Sequence, residues 1–274
     1  MLISILFHPR KPESKPLAAE ISAWVASQGH ETWLGSNWDA EEVHRMTAES
    51  GLLIVLGGDG SILRAARFAV PYDTPILGVN LGRIGFLSEA EPDNWAAVLT
   101  KVLANEHWIE RRLMLQAEHW RDGEVIGRYM ALNDFVVGGT QSRVVRLDLQ
   151  VDAHHITTYT CDSLIAATPT GSTAYSMAAG GPLLPPQLRN FLLLPVAPYL
   201  SLDRALILHE EATAQIRVST ENEAHLMADG QDFAPLREGD EVIIRKHIHE
   251  GRFARVGETG YFYNRLLKRL GFER

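Results

Sequence analysis

The ten residues LLIVLGGDGS at positions 52–61 join an apolar run to a glycine-rich turn. An apolar run without alternation is typical of a strand that is buried on both faces of a parallel sheet. Residues 61–68 continue with the spacing of a helix. In open α/β sheets, ligands bind beyond the carboxyl ends of strands, where glycines let a phosphate approach the backbone and a helix N-terminus attracts anions. The stretch therefore predicts a parallel sheet and places the glycine turn at the edge where such sheets bind ligands.

Strand and helix patterns alternate on both sides of this stretch, as far as about residue 105. The helix patterns have apolar residues at three- and four-residue spacing, and the strand patterns are short apolar runs. Alternation of this kind predicts right-handed crossovers and an open parallel sheet. The predicted strands are 2–7, 52–56 and 75–79, and the predicted helices are 14–28, 39–48, 61–68 and 92–103.

From about residue 108 onward, apolar residues recur at every second position. Such alternation is typical of strands with one buried face, and many short strands separated by turns indicate an antiparallel sandwich. We therefore expect an α/β domain over residues 1–105 and an antiparallel β-sandwich domain over residues 106–257, followed by a helical tail at 261–270. The clearest alternating segments are 146–152, 214–219, 241–246 and 252–256.

The composition restricts the class of protein. The 274 residues carry 26 Lys or Arg and 34 Asp or Glu, a formal net charge of −8, and 46% of them are hydrophobic. That apolar content supplies the core of one or two domains and excludes a disordered chain. Proteins that coat nucleic acid or an anionic membrane need clustered Lys and Arg, so the acidic balance predicts neither partner.

Cysteine content and apolar runs predict the compartment. Cys161 is the single cysteine of the sequence, which excludes an intrachain disulfide and is typical of a reducing cytoplasm. The N-terminal residues MLISILF lack a basic region before the apolar run, so we expect no signal peptide. The apolar segment 191–202 is broken by Pro195 and Pro198, which argues against a membrane-spanning helix. Within this segment, residues 191–199 do not alternate between apolar and polar side chains. We therefore expect them to be buried against a partner chain.

Asp59 is the unusual member of the glycine turn. A carboxylate beside phosphates repels them unless it binds a metal ion or accepts a proton. The turn lacks the Gly-Lys-Ser/Thr ending of a P-loop and the third glycine of a dinucleotide fingerprint. A ligand site and a tight turn in which Asp59 caps the helix therefore remain alternatives. NLGRIGF at positions 80–86 follows the next predicted strand and is likewise either a second ligand loop or an ordinary turn.

Two further segments with ligand chemistry lie in the second domain. Asn133 and Asp134 are adjacent on a predicted strand, where they either grip a ribose diol or end the strand. TPTGSTAYS at positions 168–176 offers five Ser or Thr hydroxyls around a predicted helix start, whereas a helix cap needs one. We therefore interpret this segment as a source of donors to phosphate, ribose or base, with Tyr175 supplying a ring.

These four segments, in this order and spacing, resemble the NAD kinase family over nearly the whole chain. The GGDG motif alone is shared with diacylglycerol, sphingosine and 6-phosphofructokinases, whereas TPTGSTAYS followed by Gly180-Gly181-Pro182 is specific. The resemblance implies phosphorylation of the adenosine-ribose 2′-hydroxyl of NAD by ATP or polyphosphate, giving NADP. It also implies a Rossmann-like N-terminal domain to which the tail 258–274 returns, a homodimer or homotetramer with a shared active site, and Mg²⁺ or another divalent cation with the ATP.

The resemblance also implies roles for individual residues. Asp59 matches the general base, Asn133 and Asp134 match a pair that holds the ribose, and Asp162 matches a contact at the nicotinamide end. Ala197 and Tyr199 fall where a neighbouring subunit makes its contacts. The other positions that match ligand contacts are Gly57, Gly58, Gly60, Arg64, Phe86 (adenine pocket), Arg143, Thr170, Thr173, Ala174, Tyr175, Ser176, Ala178 and Gln231.

The sequence also departs from the family pattern. Asp134 stands where the family usually has the longer Glu, and Ser163 stands where Gly usually follows the aspartate. Thr160 replaces a basic residue of many bacterial members, which leaves the preference between NAD and NADH open. Two alternatives to an NAD kinase remain at this stage: another GGDG kinase that acts on a lipid or sugar phosphate, and a dinucleotide-binding sensor without activity.

Overall fold

The computed structural model describes residues 1–36, 39–82, 85–140 and 143–271, and the chain divides into two compact units. The first unit comprises Met1–Arg111 and His249–Arg274, and the second comprises Arg112–Ile248. The helices are α1 (Ser14–Ser27), α2 (Ala40–Glu49), α3 (Asp59–Ala69), α4 (Trp95–Leu103), α5 (Tyr175–Ala178) and α6 (Tyr261–Leu270). The strands are β1 (Leu2–Phe7), β2 (Glu31–Ser36), β3 (Leu52–Gly57), β4 (Ile76–Asn80), β5 (Trp108–Arg112), β6 (Leu115–Arg121), β7 (Glu124–Ala131), β8 (Asp134–Gly139), β9 (Val145–Val151), β10 (His154–Cys161), β11 (Ser163–Ala167), β12 (Asn190–Val196), β13 (Leu206–His209), β14 (Ala214–Val218), β15 (Ala224–Ala228), β16 (Asp232–Leu236), β17 (Glu241–Lys246) and β18 (Gly251–Arg255).

The first unit is built on a sheet with the strand order β2-β1-β3-β4-β18-β5. Strands β1 to β4 pair in parallel, and every residue of β3 is buried, as the uninterrupted apolar run predicts. Because the order reverses at β1, the carboxyl ends of β1 and β3 flank a topological switch point, where ligands of open α/β sheets bind. The glycine turn after β3 therefore lies at the edge of the sheet that the sequence predicts for a ligand.

The second unit contains two antiparallel sheets, with the orders β10-β9-β14-β17-β6-β7 and β13-β12-β11-β8-β15-β16. Alternate residues of both sheets form one apolar core, in which Leu147 and Ile216 of the first sheet join Phe135 and Leu164 of the second. The prediction of an α/β region followed by an antiparallel β-sandwich is confirmed.

Residues 252–256 are an exception to the predicted strand assignment. We expected them in the sandwich, but β18 lies beside β4 in the sheet of the first unit, where Phe253 pairs with Ile76 in parallel. Alternation reports one buried face and does not identify the partner strand. Because β5 and β18 both join the first sheet, the units divide near residues 111 and 249 rather than at the expected 105 and 257.

The apolar segment 191–199 has an explanation within a single chain. Strand β12 lies between β11 and β13, so it is an internal strand, and Phe191 and Leu194 are buried in its own unit. The expectation that this segment is apolar because a partner chain covers it is wrong for the strand. Tyr199 and Leu200, which follow the strand, are 68% and 89% exposed. No helix in the described part of the chain is both long and apolar enough to cross a membrane.

Candidate active site

Asp59 is the first residue of α3 and directly follows the turn after β3. Its carboxylate accepts hydrogen bonds from the backbone N–H groups of Phe86 at 2.9 Å and Leu87 at 3.1 Å. Gly85 permits this approach, because a Cβ there would come within 2.0 Å of Asp59 Oδ1. The N-cap position belongs to Gly58, and no side-chain cap bond forms at this helix start among the described residues. The interpretation of Asp59 as a helix cap is therefore wrong.

The outer side of the glycine turn is open. A Cβ placed on Gly58 or Gly60 would meet no described atom within 4 Å beyond its chain neighbours and the backbone of α3, whereas a Cβ on Gly57 would come close to Ser61 Oγ. Arg64 lies about one turn further along α3 and is partly buried. The turn therefore leaves room for an anion at the N-terminus of α3, where the partial positive charge of the helix dipole favours negative charge.

A lysine that the sequence analysis missed lies at the same edge of the sheet. Lys11 follows β1, and its Nζ donates to the carbonyl of Leu81, after β4, at 2.8 Å. Asn80 ends β4 and donates through Nδ2 to Gly82 O at 2.8 Å, which shapes the start of the NLGRIGF loop. Residues 83–84 of that motif lie outside the described residues. The pattern that would have identified Lys11 is its place directly after the first predicted strand.

The C-terminal helix packs on the loop that binds Asp59. Phe86 is 5% exposed and forms a small apolar cluster with Phe262 and Leu266 of α6. Arg269, on the same helix, lies over the Phe86 ring, and its Nη1 is 3.6 Å from Asp59 Oδ2. Phe86, which is expected in an adenine pocket, thus packs against α6 and is nearly fully buried in this structure.

Two further arginines bind the carbonyl side of the same loop. Arg255 is fully buried and donates to Ser88 O at 2.8 Å, while its Nε pairs with Glu110 at 2.9 Å. Arg265 of α6 donates to Phe86 O at 3.2 Å. Since the carbonyl groups of the loop are held by guanidinium groups, its N–H groups stay directed at the Asp59 carboxylate. No local pattern in the sequence identifies these arginines, which come from the last strand and the last helix.

In the second unit, Asn133 and Asp134 lie at the start of β8. Asp134 is 5% exposed, and its burial together with the charge of Asp229 raises its pKa to about 7. The Asp229 carboxylate accepts the N–H of Asn133 at 2.7 Å and that of Asp134 at 3.1 Å. The sequence analysis missed Asp229, whose one signal is the Asp-Gly turn that precedes Gln231.

The TPTGSTAYS segment packs directly on Asn133. The N–H of Thr168 donates to Asn133 O at 2.9 Å, and a Cβ on Gly171 would come within 2.0 Å of that oxygen. The structure thus brings two of the sequence motifs together. The segment itself is a 3₁₀ turn (Gly171–Thr173) followed by the short helix α5, without side-chain caps among the described residues.

Most of the hydroxyls in this segment are already used by the protein. The hydroxyl count is therefore a weaker sign of a ligand site than the sequence suggested, because a tight irregular turn needs internal donors. Ser176 Oγ is the buried hydroxyl of the segment without a hydrogen-bond partner among the described residues. The internal bonds run from Thr168 Oγ1 to Leu132 O (2.6 Å), from Ser172 Oγ to Pro169 O (2.7 Å), from Thr173 Oγ1 to Thr170 O (3.1 Å) and from Arg112 Nη1 to Thr170 Oγ1 (3.0 Å).

The remaining residues singled out in the sequence differ in exposure. Asp162 joins β10 to β11 and is partly exposed, as is Gln231, whose N–H donates to Ala228 O at 2.9 Å. Ala174 is partly buried. The exposed members of the set are Arg143, Tyr175, Ala178, Ala197 and Tyr199. No group of three or more His, Cys, Asp or Glu side chains in the described part of the chain is arranged to hold a metal ion.

Two family models match the chain. Residues 10–107 match the ATP-NAD kinase N-terminal domain, and residues 132–256 match the ATP-NAD kinase C-terminal domain. The chain is 34% identical over 269 residues to the NAD kinase of Chloroflexus aggregans, which covers 98% of both chains. It is 36% identical over 266 residues to the NAD kinase of Dehalococcoides mccartyi, covering 96% of this chain and 94% of that one.

Solved structures share the fold. Yeast NADH kinase complexed with NADH aligns over all of this chain and 88% of its own, with a TM-score of 0.86 and 24% identity. An NAD kinase from Archaeoglobus fulgidus in complex with ATP aligns over the full length of both chains, with a TM-score of 0.79 and 24% identity.

Proposed function

The chain belongs to the NAD kinase family, which phosphorylates NAD to NADP with ATP, and on this premise we propose that Asp59 is the general base of the reaction. The observation that carries the proposal is the setting of its carboxylate. It lies at the N-terminus of α3, beside an open glycine turn, and two backbone N–H groups hold it in one orientation while it stays partly exposed. Family membership also decides against the lipid, sugar-phosphate and sensor alternatives.

The proposed reaction is a direct transfer. The ribose 2′-oxygen of NAD forms a bond to the γ-phosphorus of ATP, the bond from that phosphorus to the β–γ bridging oxygen breaks, and ADP leaves. The hydroxyl proton passes to Asp59. A ribose hydroxyl is far less acidic than a carboxylic acid, so the proton moves late, which suits a loose phosphoryl-transfer transition state. General-base help of about 10²–10⁴-fold corresponds to roughly 3–5 kcal/mol of barrier.

The glycine turn and Lys11 support the binding of phosphate in this reaction. The turn is open at Gly58 and Gly60, the N-terminus of α3 carries a partial positive charge, and Lys11 brings a full charge to the same edge of the sheet. A small phosphorylated ligand can therefore bind although the chain is acidic as a whole.

In the second unit we propose that Asn133 and Asp134 hold the ribose of NAD. An amide and a carboxyl group together supply donors and acceptors for a diol. Asp134 has a pKa of about 7, so near neutral pH it exchanges between a carboxyl group that donates and a carboxylate that accepts. Exposed Tyr175 offers its ring to a base, and Ser176 Oγ is a buried hydroxyl that has no hydrogen-bond partner among the described residues.

A divalent cation such as Mg²⁺ is part of the proposal. Hard cations prefer oxygen ligands and bind nucleotides through phosphates, waters and one or two carboxylates. Since the described residues contain no group of three or more His, Cys, Asp or Glu side chains arranged to hold a metal ion, the triphosphate and waters would hold the cation here. When bound, the cation would neutralise charge on the triphosphate.

We further propose a cytoplasmic homodimer or homotetramer that shares its active site. Tyr199 and Leu200 form an exposed apolar pair directly after β12, which is typical of a protein contact. Sedimentation measured beside specific activity over a dilution series tests this. Activity per chain should fall where the oligomer dissociates, and a fully active monomer would contradict the shared site.

The experiment that tests the base is Asp59→Asn, assayed for NADP formation from ATP, Mg²⁺ and NAD. We expect kcat to fall by about 10²-fold or more, with NAD binding retained, because the amide keeps the shape but cannot accept the proton. Asp39→Asn is the matched control, since Asp39 directly precedes α2 and makes no side-chain cap bond among the described residues. Unchanged turnover in Asp59→Asn would remove Asp59 from this role.

A further inference from the structure

Asp229 lies in the turn between β15 and β16 and is 9% exposed. Its carboxylate accepts hydrogen bonds from three consecutive backbone N–H groups, those of Leu132 at 3.0 Å, Asn133 at 2.7 Å and Asp134 at 3.1 Å. In return, the N–H of Asp229 donates to Asp134 O at 2.9 Å. Four hydrogen bonds therefore tie one turn to the backbone from which the Asn133 and Asp134 side chains project.

This arrangement fixes the direction of the backbone. Three adjacent N–H groups converge on one carboxylate only when the peptide planes are turned toward it, and charge-assisted bonds of this kind are stronger than neutral ones. The carbonyl side of the segment is held separately. Thr168 bonds to Leu132 O through its hydroxyl and to Asn133 O through its N–H. Thr168 therefore holds the carbonyl groups of this segment, and Asp229 holds its N–H groups.

Asp229 also places a negative charge beside Asp134. Of the elements that pack against Asp134, β11 presents Ala167 across the strand pair, followed by Thr168, and neither carries a charge. Burial is the larger cause of the raised pKa of Asp134, and the negative charge of Asp229 is the second cause. The cation Arg112 is bonded to Thr170 of the next turn. The carboxylate that fixes the backbone thus also favours the proton on Asp134.

We propose that Asp229 is a positioning residue for NAD, acting only through the orientation of the Asn133 and Asp134 backbone and side chains. The inference rests on the proposed role of this pair in holding the ribose. Asp229 itself needs no contact with NAD, because both of its carboxylate oxygens accept N–H groups of the protein.

The test is steady-state kinetics of Asp229→Asn with NAD and ATP varied in turn. An amide has one acceptor oxygen where the carboxylate has two, so at least one N–H loses its partner. We expect the KM for NAD to rise about 10-fold or more, while the KM for ATP stays unchanged. The pH at which the KM for NAD changes should move downward, because the charge that favours the Asp134 proton is gone. Asp229→Ser, which removes the charge and keeps one acceptor, should act in the same direction.

Asp152→Asn is the matched control. Asp152 also lies in a hairpin turn with positive φ and accepts a backbone N–H, that of Thr213 at 2.9 Å, but it belongs to the other sheet of the unit. It should leave the KM for NAD and its pH dependence unchanged. Circular dichroism of each variant gives the folded fraction, to which the rates are normalised.

Asp134→Asn and the double variant separate the two proposals. If Asp229 acts through the pair, its substitution should change the KM for NAD less in the Asp134→Asn background than in the wild-type chain. The inference would be overturned if Asp134→Asn changed the KM for NAD while Asp229→Asn and Asp229→Ser did not. It would also be overturned if the fold-change in KM of the double variant equalled the product of the two single fold-changes. No effect of Asp134→Asn at all would instead refute the proposed ribose role.

Discussion

The pH dependence of stability should change when Asp134 is replaced by Asn. The Asp134 side chain is 5% exposed, and burial together with Asp229 raises its pKa from 3.8 to about 7. Between these values the folded state keeps a proton that the unfolded chain releases, so the free energy of unfolding falls as the pH rises through this window. Each pKa unit corresponds to about 1.4 kcal/mol, so the full window corresponds to about 4 kcal/mol.

Asn has nearly the same shape as Asp but does not titrate. The free energy of unfolding of Asp134→Asn should therefore not fall as the pH rises through this window. We expect the free energy of unfolding of the variant to rise by about 4 kcal/mol relative to that of the wild-type protein between pH 4 and pH 8. Most of this change should be complete near pH 7. Urea unfolding followed by circular dichroism at several pH values, without NAD, measures the difference. The exposed Asp152→Asn variant is the control. Parallel wild-type and Asp134→Asn profiles over this range would refute the reasoning, because an ordinary carboxyl group adds no such window.

Two other substitutions probe the two units. Arg255→Leu should destabilise the protein by about 3–5 kcal/mol, because it removes the buried guanidinium group that pairs with Glu110 and leaves Glu89 with Arg265 alone. Thermal unfolding checks this, and a loss under 1 kcal/mol would contradict it. Tyr175→Ala should weaken NAD binding by roughly 1 kcal/mol, because the ring contact is lost. It should have little effect on stability, since the residue is 42% exposed. Calorimetry measures the affinity for NAD, and an unchanged affinity would show that the ring faces solvent in the complex.

Short-range patterns in the sequence determined most of the strands and helices and the family assignment of this protein. The apolar run at 52–56 and the glycines after it were enough to predict β3, the turn and α3, because burial on both faces and turn formation depend on neighbouring residues. Period-two alternation similarly predicted the strands of the sandwich. The four motifs together predict the NAD kinase family, and family models and relatives confirm this assignment.

Only the tertiary structure decided which distant segments meet. The alternating residues 252–256 joined the parallel sheet of the first unit, since alternation reports the periodicity of a strand but not its neighbour. Three of the five Ser/Thr hydroxyls of TPTGSTAYS donate to backbone carbonyl groups, which no count of donors predicts. Asp229 and Arg265 reach their loops across 95 and 179 residues of chain. Contacts at such separations depend on how strands and helices pack, and they leave no local pattern in the sequence.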